Sequence, residues 1–211
     1  MVSDAVVFDI DGTLWNASSA SARGWNLGLG QLGAKAKVTA EQIAMVAGSP
    51  YESCVEALLP GMRARYPGLL EVLGGCERVS VERDGGTFYD GALEAVSRLA
   101  RELDVFLVSN CQEWYLESFL GFSGLGALLS GVDCHGRSGL PKSEMLSQMK
   151  RAHSWAAPVY VGDTAGDEAA ARMAGLTHIH VSWGFGQPED DPMTVDSFAE
   201  LLALLKRDSP L

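Results

Sequence analysis

Asp9-Ile10-Asp11-Gly12-Thr13-Leu14 follows directly on the apolar run Ala5-Val6-Val7-Phe8, and this junction decides the fold. The run is too short for most helices and reads as a buried strand. Two carboxylates therefore stand where a strand ends, and Gly12 frees the backbone to turn sharply behind them. In an open α/β sheet, ligands gather in the crevice at the carboxyl ends of strands. Asp and Gly also end strands through ordinary turn chemistry, so the company this segment keeps matters.

From about Asp90 onward the chain alternates between helical and strand-like patterns. Helices are expected over Ala92 to Leu103, Gln112 to Phe122, Lys142 to His153 and Ala165 to Ala174, and a last one, N-capped by Asp196, runs through Leu205 to a short polar tail. Strands are expected at Asp104 to Val108, Gly131 to Cys134, Pro158 to Val161 and His178 to Val181. Such alternation predicts an α/β fold with a mostly parallel sheet flanked by helices. Residues Trp15 to Phe88 break the rhythm, with no β-rich run but helical patterns at Ser21 to Leu32, Thr39 to Val46 and Tyr51 to Leu59. Gly and Pro, including Gly74 and Gly75, interrupt this stretch. It reads as an α-helical cap (15–88) inserted after the first strand, above the paired Asp residues, into a core made of 1–14 and 89–211. Lids in that position commonly exclude water and select substrate.

Composition narrows the function classes. Acidic residues outnumber basic ones by 27 to 16, for a formal charge of −11. That field repels a polynucleotide backbone and argues against nucleic-acid binding. An anionic substrate would need a bound cation and a local Lys or Arg. No apolar stretch reaches the length of a membrane span. Met1-Val2-Ser3-Asp4 leads straight into the strand without the features of a signal peptide. Cys54, Cys76, Cys111 and Cys134 are scattered, without metal spacing or a disulfide framework. Free thiols and a cytoplasmic location are expected. His178 and His180 share one face of a strand and read as packing residues.

Three further segments bear chemistry at strand ends or helix starts. Leu107-Val108-Ser109-Asn110 offers a hydroxyl and backbone N–H groups to a phosphoryl oxygen. Lys142, after Gly139-Leu140-Pro141, begins a helix, where the dipole disfavours a cation; beside paired carboxylates it would offset charge on a nucleophile and a transferring phosphate. Val159-Tyr160-Val161-Gly162-Asp163-Thr164-Ala165-Gly166-Asp167 ends a strand in Gly-Asp and adds a second Asp four positions on. Asp163 and Asp167 are hard oxygen donors with no His or Cys partner, a set that favours Mg²⁺ over zinc.

In this order the segments resemble the signature of the haloacid dehalogenase superfamily: Asp-x-Asp-Gly-Thr, then Ser/Thr, then Lys, then Gly-Asp-x-x-x-Asp. The match runs from about Val6 to Gly175, with weaker echoes in Tyr89-Asp90-Gly91 and Ser182-Trp183-Gly184-Phe185-Gly186. The resemblance implies a Rossmann-like core with a small helical cap and a magnesium-dependent phosphatase acting on a small phosphorylated metabolite. It also implies roles. Asp9 would attack phosphorus to form an aspartyl-phosphate, and Asp11 would act as acid and then base. Asp9, the Asp11 backbone carbonyl and Asp163 would hold Mg²⁺ with Asp167 in support, while Ser109, Lys142 and Asn110 would bind phosphoryl oxygens.

Asp11 separates the branches, because family members that cleave carbon–halogen bonds lack this second Asp. Phosphonate cleavage needs a Schiff-base Lys in the cap, and the sequence around Lys35 and Lys37 does not resemble that branch. Phosphoglucomutase-like transfer and a non-catalytic phosphate-binding role stay open as alternatives. For substrate selection the candidates are Trp15, Asn16, Arg23, Trp25, Arg63 and Arg65, against the ordinary expectation that a Trp packs and an Arg is solvated.

Overall fold

The structure is a computed structural model that describes residues 3–190 and 193–205. The start at Met1-Val2 and the polar tail beyond Leu205 lie outside the described residues. Strand β1 (Ala5–Phe8) is buried at every position, as its unbroken apolar sequence requires. A two-residue strand β2 (Trp15–Asn16) follows, and then five helices: α1 (Ser18–Gln31), α2 (Ala40–Val46), α3 (Tyr51–Leu58), α4 (Met62–Arg65) and α5 (Leu69–Asp84). Strand β3 (Thr87–Phe88) returns to pair antiparallel with β2, Trp15 opposite Phe88 and Asn16 opposite Thr87.

The remaining chain alternates. Helix α6 (Ala92–Leu99), strand β4 (Asp104–Ser109), helix α7 (Glu113–Ser123), strand β5 (Gly131–Cys134), helices α8 (His135–Ser138) and α9 (Lys142–His153), and strand β6 (Pro158–Gly162) come first. Helix α10 (Ala165–Ala174), strands β7 (Thr177–Val181) and β8 (Met193–Val195), and helix α11 (Phe198–Leu205) complete it. The main sheet has the order β5-β4-β1-β6-β7-β8, and every neighbouring pair runs parallel. This is the α/β, Rossmann-like core expected from the alternation. Because the chain winds outward from β1 in both directions, the end of β1 is the topological switch point, where such sheets bind ligands.

Both faces of the sheet are covered. One cluster joins Val6, Phe8, Leu107 and Val161 to helices α6, α7 and α11, and another joins Val7, Phe106 and Tyr160 to α9 and α10. Helices α1–α5 pack around a separate cluster built on Trp25, Leu29, Val55, Leu69 and Leu73. Its tightest joint is α1 against α5: a Cβ at Gly24 would sit 2.4 Å from Glu77 Cα, and one at Gly28 would sit 2.9 Å from Leu73 Cδ2.

Several local expectations are corrected. Helix α5 runs through Gly74 and Gly75 instead of breaking there. Each Gly costs a helix about 1 kcal/mol, but Tyr51 lies across this turn, 3.3 Å from where a Gly74 side chain would begin, and donates to Leu70 O. Packing overrides propensity. The cap of α11 is Ser197, whose Oγ accepts from Glu200 N, while Asp196 accepts from Ser182 Oγ. Strands β2, β3 and β8 had no counterpart in the sequence pattern, being two or three residues long.

His178 and His180 are both buried on β7, and burial lowers the pKa of each. A His whose folded pKa lies below its ordinary value of about 6.5 takes up protons first in the unfolded chain, so its contribution to stability falls on acidification. Replacing both by Phe should therefore raise the melting temperature relative to wild type progressively as pH falls from about 7.5 to 5.5. A wild-type-to-variant gap that stays constant over that range would count against a neutral buried pair.

Candidate active site

Asp9 is the first residue beyond β1 and is fully buried, its backbone N–H donating to Val161 O of β6 at 2.9 Å. Gly12 (φ +76°) then turns the chain so closely past β6 that a Cβ there would lie 2.2 Å from Asp163 Oδ2. Only Gly allows the first carboxylate loop and the Asp163 loop to approach this way. Asp9, Asp163 and Asp167 each present one oxygen to a common point, the three atoms lying within 4.8 Å of one another.

Lys142, the first residue of α9, reaches in from the side with only 4% of its surface exposed. Its Nζ lies 3.0 Å from Asp9 Oδ1 and 2.5 Å from Asp167 Oδ1. Burial works against its charge, but Asp167 and Asp9 more than offset this and hold its pKa above the ordinary value. Asp167 is saturated with donors. Oδ1 also accepts from Tyr160 OH, and Oδ2 accepts from the backbone N–H groups of Asp163 and Thr164 and from Thr164 Oγ1. Thr164 completes a capping box at the start of α10. Burial alone would lift the Asp167 pKa; Lys142 and then Thr164 hold it below the usual value.

The other two carboxyls differ. Asp9 is raised to about 7, by burial first and by Asp167 and Asp163 next, against the pull of Lys142. Asp163 is raised to about 6 by burial and by Asp167, although Thr13 Oγ1 and Phe185 N both donate to it. Apart from the Lys142 ion pair on Oδ1, Asp9 accepts no hydrogen bond despite complete burial. Buried acceptors are nearly always satisfied, so the unpartnered Oδ2, in a set of oxygen donors alone, fits a hard cation. The triad could bind a metal ion.

Asp11 stands apart from the triad, at the wall of a cavity of about 90 Å³ between the carboxyl ends of the strands and helices α1, α2, α3 and α5. Tyr115 on α7 donates its hydroxyl to Asp11 Oδ1. Burial raises the Asp11 carboxyl to about 7, and the Tyr115 bond opposes that shift. Ser109 and Asn110, at the end of β4, line the same cavity, and Asn110 Nδ2 donates across it to Gly48 O at 2.7 Å.

Of the residues considered for substrate selection, Trp25 alone lines this cavity. Trp15 is fully buried and packs against Phe88, Tyr115 and Phe119. Asn16 turns back to accept from the N–H and hydroxyl of Ser18 at the start of α1. Arg23 pairs with Asp84, Arg63 with Glu52, and Arg65 lies over the Tyr66 ring, all on the exposed side. Tyr115 and Glu77 were not singled out by sequence. For Glu77 the nearest signal was the Gly24-xxx-Gly28 spacing, which marks a face where a second helix comes close. The weak echo at 182–186 does reach the site. Phe185 lines the cavity and binds Asp163, and Trp183 Nε1 donates to Thr13 O.

A family model for haloacid dehalogenase-like hydrolases matches residues 6–172. The chain belongs to that family. The hydrolase is 36% identical over 100 residues to a phosphoglycolate phosphatase of Synechococcus elongatus, a match spanning 46% of this chain and 47% of that protein. Against a phosphoglycolate phosphatase of Xylella fastidiosa it is 28% identical over 96% of its length and 91% of the relative's. A haloacid dehalogenase-like hydrolase from Streptococcus pneumoniae superposes with a TM-score of 0.81 at 18% identity, covering 96% of this chain and 98% of that one; at that identity the likeness concerns the fold. The enzyme class is that of a phosphatase hydrolase. Among the described residues, no helix is long and apolar enough to cross a membrane.

Proposed function

We propose that this hydrolase cleaves a small phosphomonoester with Mg²⁺ and an aspartyl-phosphate intermediate, residues 15–88 forming a cap over a core of 1–14 and 89–211. The observation that carries the proposal is Asp9. It is a buried carboxylate with one oxygen paired to Lys142 and the other without a partner, set beside two further carboxylates. Asp9, Asp163 and the Asp11 backbone carbonyl would hold the ion with Asp167 in support, and the bound ion would offset charge on the phosphoryl oxygens.

An oxygen of Asp9 attacks phosphorus in line and the bond to the leaving oxygen breaks, while Asp11 gives that oxygen its proton. Water then attacks the phosphorus of the aspartyl-phosphate. Asp11 takes the water's proton, and the bond to Asp9 breaks to release phosphate. Tyr115 keeps Asp11 aimed through both steps, and Ser109, Asn110 and Lys142 bind the phosphoryl oxygens. Lys142 thereby answers the charge problem of an acidic protein with an anionic substrate. The four cysteines, all free, suit the reducing cytoplasm in which we place the enzyme.

The test is release of inorganic phosphate from a panel of small phosphomonoesters with Mg²⁺ or with EDTA. Turnover that requires Mg²⁺ is the expected result. Phosphate release unchanged by EDTA, or no release from any ester including p-nitrophenyl phosphate, would overturn the proposal.

A further inference from the structure

The helical wall of the cavity is built around a buried carboxylate. Glu77, on α5, is 8% exposed and lines the cavity together with Trp25 and Ser21 of α1. Trp25 Nε1 donates to Glu77 Oε2 at 2.8 Å, and the Ser21 hydroxyl donates as well. No cation faces Glu77 among the described residues, and burial raises its pKa. The close approach of α1 and α5 at Gly24 fixes this arrangement, because Gly24 packs directly on the Glu77 backbone.

The charge balance of the cavity is the second observation. No Lys, Arg or His lines it. Every Lys and Arg between residues 15 and 88 is exposed instead. The cation of the site, Lys142, is already engaged with Asp9 and Asp167. A leaving group with its own carboxylate would thus be desolvated against Glu77 with no cation to pair it, a like-charge juxtaposition that disfavours binding. Protonating Glu77 would remove the repulsion but supply a single donor and no positive charge. A hydroxyl or an ammonium, by contrast, adds a charge-assisted hydrogen bond to a carboxylate held so far by neutral donors alone.

We propose that Glu77 selects the substrate: the enzyme takes phosphomonoesters whose small leaving group carries a hydrogen-bond donor and no second negative charge. This rests on the phosphatase reading above and departs from the substrate named for the matched relatives. The cavity, about 90 Å³, is well below the roughly 300–1,000 Å³ of sites for drug-sized ligands. A leaving group of a few heavy atoms fits it.

Three esters of nearly equal size make the test: 2-hydroxyethyl phosphate, 2-aminoethyl phosphate and phosphoglycolate. Both donor-bearing esters should exceed phosphoglycolate in kcat/KM by about tenfold or more. In Glu77→Gln, which keeps an acceptor for Trp25 but loses the charge, the margin should shrink to about threefold or less, mainly through KM for phosphoglycolate. A purely structural Glu77 would slow all three esters alike and leave the ratio unchanged, which overturns the proposal. So does phosphoglycolate level with or ahead of either donor-bearing ester in the wild type. Calorimetric binding of the same esters to the Asp9→Asn chain with Mg²⁺ measures the selection independently of turnover. Tighter binding of the two donor-bearing esters supports the selection even if p-nitrophenyl phosphate is not hydrolysed and the phosphatase reading falls. Equal or tighter binding of phosphoglycolate, or binding of none of the three, overturns it.

Discussion

Replacing Asp9 by Asn should lower phosphate release by about 10³-fold or more, the scale expected if the proposed covalent nucleophile is lost, and should leave the fold intact. An amide is nearly isosteric with the carboxylate but has no nucleophilic oxygen anion. The substitution gives up one of the two ion pairs of Lys142 and keeps the shorter one, to Asp167. It also removes one of three negative charges crowded within 4.8 Å, so in the absence of metal the variant should melt at or above the wild-type temperature. Loss of function with gain of stability is common where a site concentrates like charges. The response to Mg²⁺ separates a ligand from a bystander. At free Mg²⁺ about a hundredfold above Kd the wild type should gain about 2.7 kcal/mol, and the variant clearly less. Retention of more than about a tenth of the activity would falsify Asp9 as the nucleophile.

Lys142→Met should act in the opposite sense on stability. Lys142 is the cation paired with both Asp9 and Asp167, and all three side chains are buried. Breaking a buried pair leaves uncompensated charge and costs about 3–5 kcal/mol. For a chain of this size that amounts to a fall in melting temperature on the order of 10 °C. Met has similar length and adds no polar group, so lost packing contributes little to that figure. Urea unfolding without metal measures the loss directly. Added Mg²⁺ should recover more stability in the variant than in the wild type, because it supplies positive charge where Lys142 did. A variant within about 1 kcal/mol of wild type would mean that the carboxyls are neutral and need no counter-charge. Phosphate release should fall together with stability, since the same ammonium is the one proposed to bind the phosphoryl oxygens.

The parts of this molecule that could be read from sequence are those whose determinants are contiguous. β1 and the Asp9–Thr13 loop form one uninterrupted stretch, and the helix–strand alternation after Asp90 survives because each element carries its own period. Asp163 and Asp167 lie four residues apart on a strand-to-helix turn, so their proximity is local geometry. Tyr115 meets Asp11 across 104 residues of chain, and Glu77 meets Trp25 across 52. No local pattern distinguishes that Tyr or that Glu from its neighbours. The arginines misled for the converse reason. Charge drew attention to Arg23, Arg63 and Arg65, whereas desolvation turned them outward to partners at the surface. Helix α5 shows the same tension, since two adjacent glycines predict a break and contact with Tyr51 restores the helix.

The short β2–β3 ribbon has a consequence for how such an enzyme can change. The chain leaves the core at Trp15–Asn16 and returns hydrogen-bonded beside itself at Thr87–Phe88, so to the sheet the whole intervening segment resembles a tight hairpin. Loop-closure entropy grows only as the logarithm of loop length, and the ribbon already holds the two ends together. Helices can therefore lengthen, repack or be exchanged between these two strands with little penalty to the core. On the function proposed above, selectivity becomes an interchangeable part, free to drift while the residues proposed to handle phosphate stay fixed.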